Sequence, residues 1–500
     1  MLRLLTSEQT RQADRYTIAN KPIASIDLME SASKAFVKVF IHRYPDTATS
    51  ISIYCGTGNN GGDGLAIARL LKEEGYEKIK VFIARFSDKE TEDFSNNLHR
   101  IKEAEMDIME LPPGEAIPEN EAEIIIDALL GSGLNKPLEG DFKRLVEQVN
   151  KSGADVVSVD IPSGFPPEGI ANCDSTFVQS DLTITFQRPK VSFLLPESDL
   201  AMKDFEVVEI GLDETFIQSA NSPYFLLTKN DIIQRLKKRG RFSHKGTFGH
   251  ALIIAGETKT MGAALLCAEA CMNAGAGLIT ACIPESGLTA LNTRSPEIMA
   301  LLRNGTELPE IEPEKYRVIA IGPGIGASVG SFEILKKTLE VYKKPIVFDA
   351  DALNILAENP SLLRSIPANS ILTPHVKEFD RLFGNHNSWW ERLETGMRKS
   401  KELDAAIILK NRYTIIFNPA GEIIFNPTGH PAMASGGSGD TLTGILASFL
   451  AQGYSSIDSA ILAVYLHGKT GEDLAKKSRY VVPAGKIIEN ISETIGSFLA

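Results

Sequence analysis

The chain contains few cysteines and no long hydrophobic run. Its 500 residues include five cysteines, with no CxxC pair and no histidine at metal-ligand spacing. A disulfide framework is therefore not indicated, and a reduced, cytoplasmic setting fits best. Because no window reaches about 18 consecutive apolar residues, the sequence also argues against a membrane span. Cys267 and Cys271 would share one face of a helix, where buried packing is their expected role.

An excess of positive charge is missing as well. The formal net charge is −12, which gives no general attraction to nucleic acid or to an anionic membrane surface. The exception is RLKKRGRFSHKG, residues 235–246, where a solvated linker or helix end is one interpretation. The first residues lack the apolar core of a signal peptide, and Thr6 to Gln9 match a helix capping box.

The order of hydrophobic runs predicts two α/β domains. From about Ser50, short β-branched runs alternate with helical stretches, which is typical of a parallel sheet covered by helices. Residues 211–224 are turn-rich and interrupt the pattern, so we predict domains at residues 1–214 and 224–500. A second series of strands follows, and YTIIFNPAGEIIFN within it predicts a β-hairpin.

Three polar motifs follow predicted strands of the first domain. They are NNGGDG after SISIYCGTG, Asp127 in EIIIDALLG, and VDIPSG with Asp160 and Ser163. In a doubly wound sheet, ligands bind beyond the carboxyl ends of the strands. The glycines of NNGGDG permit positive φ and let backbone N–H groups approach a phosphate, and Asp160 has the chemistry of an acid–base group. Ordinary turn and strand-end chemistry is the alternative for each motif taken singly.

Four segments of the first domain form an ordered set of motifs. They are DRYTIAN…SIDLMESA, GTGNNGGDGLAIARLL, DALLGSGL and VDIPSG. In this order they resemble the epimerase domain of the NAD(P)H-hydrate repair enzymes. The resemblance implies a Rossmann-like, three-layer α/β/α domain, a catalytic acid–base role for Asp160, and a potassium ion at Asn60, Asp127 and Ser163. It also implies that the hydrated nicotinamide dinucleotide contacts Asn59, Asn60, Gly61, Gly62, Asp63, Gly131, Ser132, Gly133, Leu134, Asn135, Lys136, Pro137 and Asp160.

A second glycine-rich segment, GGSGDTLTGILASFLAQG, opens an apolar run in the second domain. Backbone N–H groups and the helix dipole at such a start can stabilise the charge on a transferred phosphoryl group. Asp440 is positioned there to accept a proton from an attacking hydroxyl. A purely structural helix start is the alternative.

The second domain resembles the ribokinase-like dehydratase domain of the same enzymes. The matching segments are HKGTFGHALIIAG, GAALLCAEACMNAGAGLIT, GPGIG, DADALNIL, LTPHVKEF and NPTGHPAMASGGSGDTLTG. The resemblance implies that ADP, or ATP as in eukaryotic forms, phosphorylates the hydrate hydroxyl with Mg²⁺ at the nucleotide, and that phosphate is then lost. The implied hydrate contacts are Ala263, Gly326, His375 and Asp440, and the implied nucleotide contacts are Lys410, Asn411, Arg412, Tyr413, Thr414 and Gly439. In this context the basic stretch at residues 235–246 is interpreted as part of an anionic-ligand pocket.

One position departs from the family pattern. The family's nucleotide strand reads Lys-Gly-x-x-Thr, whereas this chain has KNRYT, with Asn411 in the glycine position. If that position has positive φ, Asn is the most tolerable replacement, and the loop is expected to survive. The preference between ADP and ATP stays open.

The sequence thus predicts a bifunctional repair enzyme that epimerises the R and S forms of hydrated NADH and NADPH (NADHX and NADPHX). It would dehydrate the S form at the expense of ADP, giving AMP and phosphate. We expect a homo-oligomer that binds these small molecules and neither nucleic acid nor a membrane. One alternative is a ribokinase-type kinase, which would release a stable phosphorylated product. The other is a nucleotide-binding scaffold without catalysis, against which the presence of Asp127, Asp160, His375 and Asp440 together argues.

Overall fold

The structure, a computed structural model, describes residues 1–133, 136–171, 175–304, 307–477 and 480–499. It divides into two compact units. The first unit contains Arg3–Ser222 with Ser388–Trp390, and the second contains Met1–Leu2, Pro223–Asn387 and Glu391–Ala500.

The described residues form strands and helices that alternate along much of the chain. The strands are β1 (Leu2–Arg3), β2 (Ile51–Cys55), β3 (Ile79–Ala84), β4 (Asp107–Leu111), β5 (Ile124–Ala128), β6 (Asp155–Val159), β7 (Leu182–Phe186), β8 (Phe205–Val208), β9 (Tyr224–Leu226), β10 (His250–Ile254), β11 (Leu278–Pro284), β12 (Met299–Arg303), β13 (Val318–Ile321), β14 (Ile346–Phe348), β15 (Ile371–Leu372), β16 (Ala406–Leu409), β17 (Ile415–Asn418) and β18 (Glu422–Phe425). The α-helices are α1 (Ser7–Asn20), α2 (Ser25–Arg43), α3 (Asn59–Glu73), α4 (Glu92–Glu103), α5 (Gly140–Lys151), α6 (Glu214–Ser219), α7 (Lys229–Arg235), α8 (Met261–Asn273), α9 (Leu288–Arg294), α10 (Val329–Val341), α11 (Asp351–Glu358), α12 (Pro360–Leu363), α13 (Val376–Phe383), α14 (Trp389–Leu403), α15 (Ser438–Ala451), α16 (Ser456–Ala475) and α17 (Ala484–Ser497).

Seven parallel strands form the sheet of the first unit, in the order β4-β3-β2-β5-β6-β7-β8. The order reverses between β2 and β5, because β3 and β4 extend the sheet on one side and β6 to β8 on the other. Such a reversal leaves a crevice at the carboxyl ends of the two central strands. The predicted α/β fold is confirmed, and the motifs that follow β2 and end β5 meet at this crevice.

The second unit contains a larger sheet with the order β1-β9-β18-β17-β16-β15-β14-β13-β10-β11-β12. Its strands from β16 to β12 run parallel, and here the order reverses between β10 and β13. The predicted hairpin is confirmed: β17 and β18 pair antiparallel, from Ile415 opposite Phe425 to Asn418 opposite Glu422.

Burial explains which strands the sequence predicts. Every residue of β2, β5 and β10 is buried, as in strands covered on both faces, and each is a near-continuous apolar run. The strands β4, β8 and β12 lie at sheet edges, carry exposed positions and were not predicted. The turn-rich region predicted between the domains contains the short helix α6.

Two local predictions about the ends and faces of helices are confirmed. The Thr6 hydroxyl accepts a hydrogen bond from the Gln9 backbone N–H, and the Gln9 side chain accepts one from the Thr6 N–H, which completes the capping box of α1. Cys267 and Cys271 are buried free thiols on α8. Among the residues that the structure describes, no helix combines the length and apolar character needed to cross a bilayer.

Candidate functional site

The segment NNGGDG is helical and forms the first turns of α3. The helix begins at Asn59, one residue after Gly58, whose φ is −95°. Gly61, Gly62 and Gly64 are absent from the set of glycines with positive φ. The expectation that these glycines serve positive-φ turn conformations is therefore wrong.

Close packing is the physical reason for these glycines. A Cβ on Gly61 would lie 1.8 Å from the carbonyl oxygen of Gly56, and one on Gly64 would lie 2.5 Å from the Cβ of Ala128. The absence of side chains lets the start of α3 approach the ends of β2 and β5. The first N–H groups of a helix have no intrahelical acceptor, so this start can bind an anion.

Asp127 is the centre of a buried hydrogen-bond network at the end of β5. Its Oδ1 accepts from the Ser163 hydroxyl at 2.6 Å and the Leu129 N–H at 3.3 Å. Its Oδ2 accepts from the Ser163 N–H at 2.8 Å and the Ser158 hydroxyl at 2.9 Å. Burial raises the pKa of Asp127, while the bonds from Ser163, Leu129 and Ser158 oppose that rise. The network joins two of the three positions predicted to hold potassium.

Asn60, the third of these positions, lies beside the loop that follows β5. A Cβ on Gly131 would meet the Asn60 side chain at 3.3 Å, and the Nδ2 atom of Asn60 is buried without a hydrogen-bond partner. The two ends of an amide side chain exchange on rotation, so this group can present an oxygen instead. Among the described residues no lysine or arginine forms an ion pair with Asp127. A buried carboxylate, a hydroxyl and an open amide are oxygen donors that fit a hard monovalent cation.

Asp160 has a strained backbone conformation just beyond β6. Its φ is +64°, and the N–H of Ile161 donates to the carbonyl of Val159 at 2.7 Å across it. This is the pattern of the rare γ-turn. Gln187, at the end of the neighbouring β7, has a φ of +60° and the same type of hydrogen bond across it. Such conformations cost about 1–3 kcal/mol each and concentrate at functional sites.

The side chain of Asp160 is held by the end of β7. Its Oδ1 accepts from the Lys190 ammonium at 2.6 Å, the Phe186 N–H at 2.9 Å and the Thr185 hydroxyl at 3.2 Å. Two further carboxyl groups, of Asp14 on α1 and Asp63 on α3, lie close enough to Asp160 to interact with its charge. Burial raises the pKa of Asp14 to about 6, and burial followed by the nearby carboxylates raises the pKa of Asp63 well above its usual range.

A cavity of about 380 Å³ opens beside the loop after β5. It is lined by Ser132, Lys136 and Pro137, all predicted substrate contacts, and by Arg11 of α1. A Cβ added at Gly133 would lie 4.0 Å from the Arg11 guanidinium. Leu134 and Asn135, also predicted as contacts, lie outside the described residues.

In the second unit, Asp440 is in the first turn of α15. Gly437 precedes the helix with a φ of +87°, a left-handed conformation that favours glycine. Burial, and then the charge of Asp349, raise the pKa of Asp440 to about 6. The group is therefore an anion at neutral pH and poised to accept a proton.

Lys410 forms an ion pair with the buried Asp349, beside Gly439 and Asp440. Its ammonium donates to Oδ1 of Asp349 at 2.8 Å, and the Thr443 hydroxyl of α15 donates to Oδ2 at 2.7 Å. Burial raises the pKa of Asp349, but Lys410 and Thr443 outweigh it and keep that pKa below the usual value. A Cβ on Gly439 would lie 3.6 Å from the Lys410 Nζ.

The reversal in the second sheet brings together two predicted hydrate contacts. The N–H of Gly256, after β10, donates to the carbonyl oxygen of Pro323, after β13. A Cβ added at Gly324 would lie 3.1 Å from the Cβ of Ala263. Gly326 has a φ of +74° and donates its N–H to the Asp351 carboxylate at 2.8 Å. These residues line the carboxyl ends of β10, β13 and β14.

His375 is next to Lys410, because β15 and β16 are parallel neighbours. Its Nδ1 caps α13 by accepting from the backbone of Lys377 and Glu378. Burial, then the charge of Lys410, lower the pKa of His375. The ring, half exposed, keeps its Nε2 3.3 Å from Glu378.

The residues after Lys410, predicted to contact the nucleotide, connect β16 to β17. Asn411 is not among the residues with positive φ, so the conformation that would have favoured glycine there is not required. Its side-chain Nδ2 is buried without a partner. The Thr414 hydroxyl donates to the Asn411 carbonyl, and the Arg412 guanidinium stacks on Tyr413 at 4.8 Å.

The comparisons with known proteins agree across both units. A family model described as NAD(P)H-hydrate dehydratase matches residues 251–493, and one described as YjeF-related protein N-terminus matches residues 25–192. The bifunctional NAD(P)H-hydrate repair enzyme of Moorella thermoacetica is 31% identical over 99% of this chain and 98% of its own length. This chain belongs to the family of bifunctional NAD(P)H-hydrate repair enzymes. The Escherichia coli member is 31% identical over 94% of this chain and 89% of its own length. A ribokinase-like superfamily protein of Enterococcus faecalis matches with 33% identity and a TM-score of 0.51, over 55% of this chain and 96% of that one.

Four residues beside the candidate sites of this repair-enzyme family member were not predicted. Asp14 and Lys190 accompany Asp160, and Asp349 and Thr443 accompany Lys410. Asp349 directly follows an apolar strand in IVFDAD, so the strand-end rule could have found it. Asp14 lies in the middle of a helix and carries no such signal.

The basic stretch is not in the pocket predicted for it. The stretch precedes β10, at the amino ends of the parallel strands, and its exposed basic residues are Lys237, Lys238, Arg239 and Arg241. Lys410 and Asp440 lie at the opposite side of the sheet, at the carboxyl ends of those strands. Within this unit the stretch is therefore remote from the candidate phosphoryl-transfer site.

Proposed function

We propose that the first unit epimerises the hydrates of NADH and NADPH and that the second unit dehydrates the S epimer with ADP. The observation that carries this proposal is a carboxyl group suited to proton transfer at the polar end of each sheet, Asp160 in one unit and Asp440 in the other. Relatives that match nearly the full length of the chain are named as bifunctional repair enzymes. A stereospecific dehydratase alone would leave half of a damaged pool, so the two activities complement each other.

Epimerisation inverts the carbon that carries the added hydroxyl, next to the ring nitrogen. When the ring opens and closes again, the hydroxyl proton must leave and return, which is work for a general base. We assign that role to Asp160. The start of α3, with Asn59 to Asp63, and the loop from Gly131 to Pro137 would hold the dinucleotide. A potassium ion at Asn60, Asp127 and Ser163 would supply a fixed positive charge in the crevice.

Dehydration would begin with phosphorylation of the same hydroxyl. Asp440 accepts the hydroxyl proton as the oxygen attacks the terminal phosphoryl group of ADP, with AMP as the leaving group. Lys410 and the first N–H groups of α15 stabilise the developing charge, and Mg²⁺ would accompany the nucleotide phosphates. Phosphate then leaves with the C–O bonding electrons, and loss of a proton from the adjacent carbon restores the ring double bond.

The contacts predicted around this centre form two groups. Ala263, Gly326 and His375 would face the hydrate. The loop from Lys410 to Thr414, with Gly439, would face the nucleotide. Their positions at the ends of neighbouring parallel strands support this division.

The test is recovery of the absorbance of reduced nicotinamide from a mixture of NADH hydrate epimers, with ADP, with ATP and with neither. Full recovery with ADP, and none without nucleotide, is expected. Recovery that stops after one epimer would contradict the epimerase assignment, and no recovery would contradict the dehydratase assignment. A phosphorylated product that persists would indicate a ribokinase-type kinase instead.

A further inference from the structure

Lys190 is a buried lysine whose ammonium lies against the candidate base. It follows β7 and is 6% exposed. Its Nζ is 2.6 Å from Oδ1 of Asp160, which itself is largely buried. A buried ammonium is costly unless it is paired, and this pairing is with the one carboxylate to which the proposed epimerisation assigns proton transfer.

The hydrogen bonds of Asp160 are unequally divided between its two oxygens. Lys190, the Phe186 N–H and the Thr185 hydroxyl all donate to Oδ1. Among the described residues no donor contacts Oδ2. One oxygen is therefore anchored to the end of β7, and the other is left available to take a proton from a ligand.

Asp160 lies near two other carboxyl groups. Asp14 from α1 and Asp63 from α3 both interact with its charge, so the carboxyl groups of three elements converge on this position. Lys190 is the cation that faces these carboxyl groups, because its ammonium pairs with Asp160 and also interacts with Asp14. An opposite charge stabilises the carboxylate form that a general base requires.

We propose that Lys190 is the positioning residue of the epimerase site: it anchors Oδ1 of Asp160 and keeps Oδ2 as the proton acceptor. This inference rests on the proposed epimerase function. In the step it serves, Oδ2 takes the proton of the hydrate hydroxyl while the bond from that carbon to the ring nitrogen breaks, with its electron pair passing to the nitrogen. A carbonyl group forms at the carbon. Closure on the opposite face reverses each change and returns the proton, so nothing is consumed.

The experiment measures epimerisation and dehydration separately in the full chain. Purified R epimer of NADH hydrate is the substrate, and the S epimer formed without nucleotide is quantified by chromatography across a range of pH. The variants are Lys190→Met, Lys190→Arg and, as a matched control, Lys203→Met. Lys203 also pairs with an aspartate, Asp181, but is exposed on the same unit.

Loss of the cation is expected to change the pH profile as well as the rate. Lys190→Met should lower kcat/KM for epimerisation about 100-fold at neutral pH and move its acid limb up by about one pH unit. Lys190→Arg should retain the acid limb, and Lys203→Met should match the wild type. Dehydration of the S epimer with ADP should be unchanged in all three.

Two results would overturn the inference while the proposed function stands. One is a wild-type epimerisation profile in Lys190→Met, and the other is a uniform loss at every pH with the acid limb unmoved, which indicates a structural role only. Circular dichroism and thermal unfolding report folding. If Lys190→Met is unfolded, Lys190→Gln replaces it as the test variant, because it keeps a polar group in the buried position. The same pH profile of epimerisation is then measured on Lys190→Gln. A wild-type protein that does not equilibrate the epimers would overturn the proposed function, and this inference with it.

Discussion

Asp440 gives dehydration a testable dependence on pH. Burial and the nearby Asp349 raise its pKa to about 6, so the carboxyl group is protonated below that pH and loses its capacity as a base. We expect kcat/KM for dehydration of the purified S epimer to be flat above this pKa and to fall about tenfold per pH unit below it. Initial rates with saturating ADP across the range would measure the profile.

The outcome that would contradict this assignment is a dehydration rate that does not change as the pH crosses 6. Asp349 provides an internal contrast, because the pair with Lys410 keeps the pKa of Asp349 below its usual value, whereas the pKa of Asp440 is raised.

Single residues differ in how far the sequence could reveal them. Asp160 directly follows a strand, and Asp440 lies in the first turn of a helix. The placement of each could therefore be predicted from local pattern alone. Lys190 and Asp14 were missed, because their relevance comes from proximity to Asp160, which is 30 residues away in one case and 146 in the other. The positive φ of Asp160 was not predicted either, because aspartate adopts such a conformation only occasionally and no local motif specifies it here.

At the scale of elements, α3 depends on glycine at the positions where it meets the sheet. Gly61→Ala would place a Cβ 1.8 Å from the Gly56 carbonyl oxygen, a backbone atom that cannot move aside cheaply. We expect the free energy of unfolding of the first unit to fall by about 3 kcal/mol, at the upper end of overpacking costs. Denaturant unfolding of the purified variant would measure the change.

Gly58→Ala is the matched control, since no atom lies within 4 Å of its Cβ position and its φ is −95°. Its cost should be smaller, about 0.5–1 kcal/mol, because alanine is a poorer N-cap residue than glycine but meets no atom here. Equal stability of the two variants would show that close packing is not why glycine is needed in α3.

The strands also differ in how far the sequence could reveal them. Central strands such as β2 and β10 are buried throughout, so an apolar run identifies them. The edge strands β4, β8 and β12 mix buried, intermediate and exposed positions without a regular period. Each pairs with a neighbouring strand on one side only, so its sequence carries little pattern from which a strand could be predicted.

At the scale of the whole molecule, the two candidate sites belong to separate compact units. We expect Asp440→Asn to lower dehydration by about 10²–10⁴-fold while epimerisation continues, and Asp160→Asn to do the reverse. The reason is that each substitution removes one proton acceptor and leaves the other unit intact. Chromatography of the epimers and absorbance recovery, on the same preparations, would measure both activities.

Loss of both activities from either substitution, in a protein that remains folded, would contradict the division of labour. Mixing the two variants supplies a complementation control. Each would perform the step that the other lacks, and recovery of reduced nicotinamide from mixed epimers should approach that of the wild type.

The sequence by itself determined the α/β class, the family and the strand-end motifs, because hydrophobic runs and the order of motifs are visible in the sequence of the chain. Only the tertiary structure decided that NNGGDG is helical, that its glycines serve close packing, and that Lys190 meets Asp160 while Asp349 meets Lys410. The physical reason is sheet order: parallel strands that are neighbours in space bring together side chains that are distant along the chain. Burial then fixes the charges of those side chains in ways that no local pattern records.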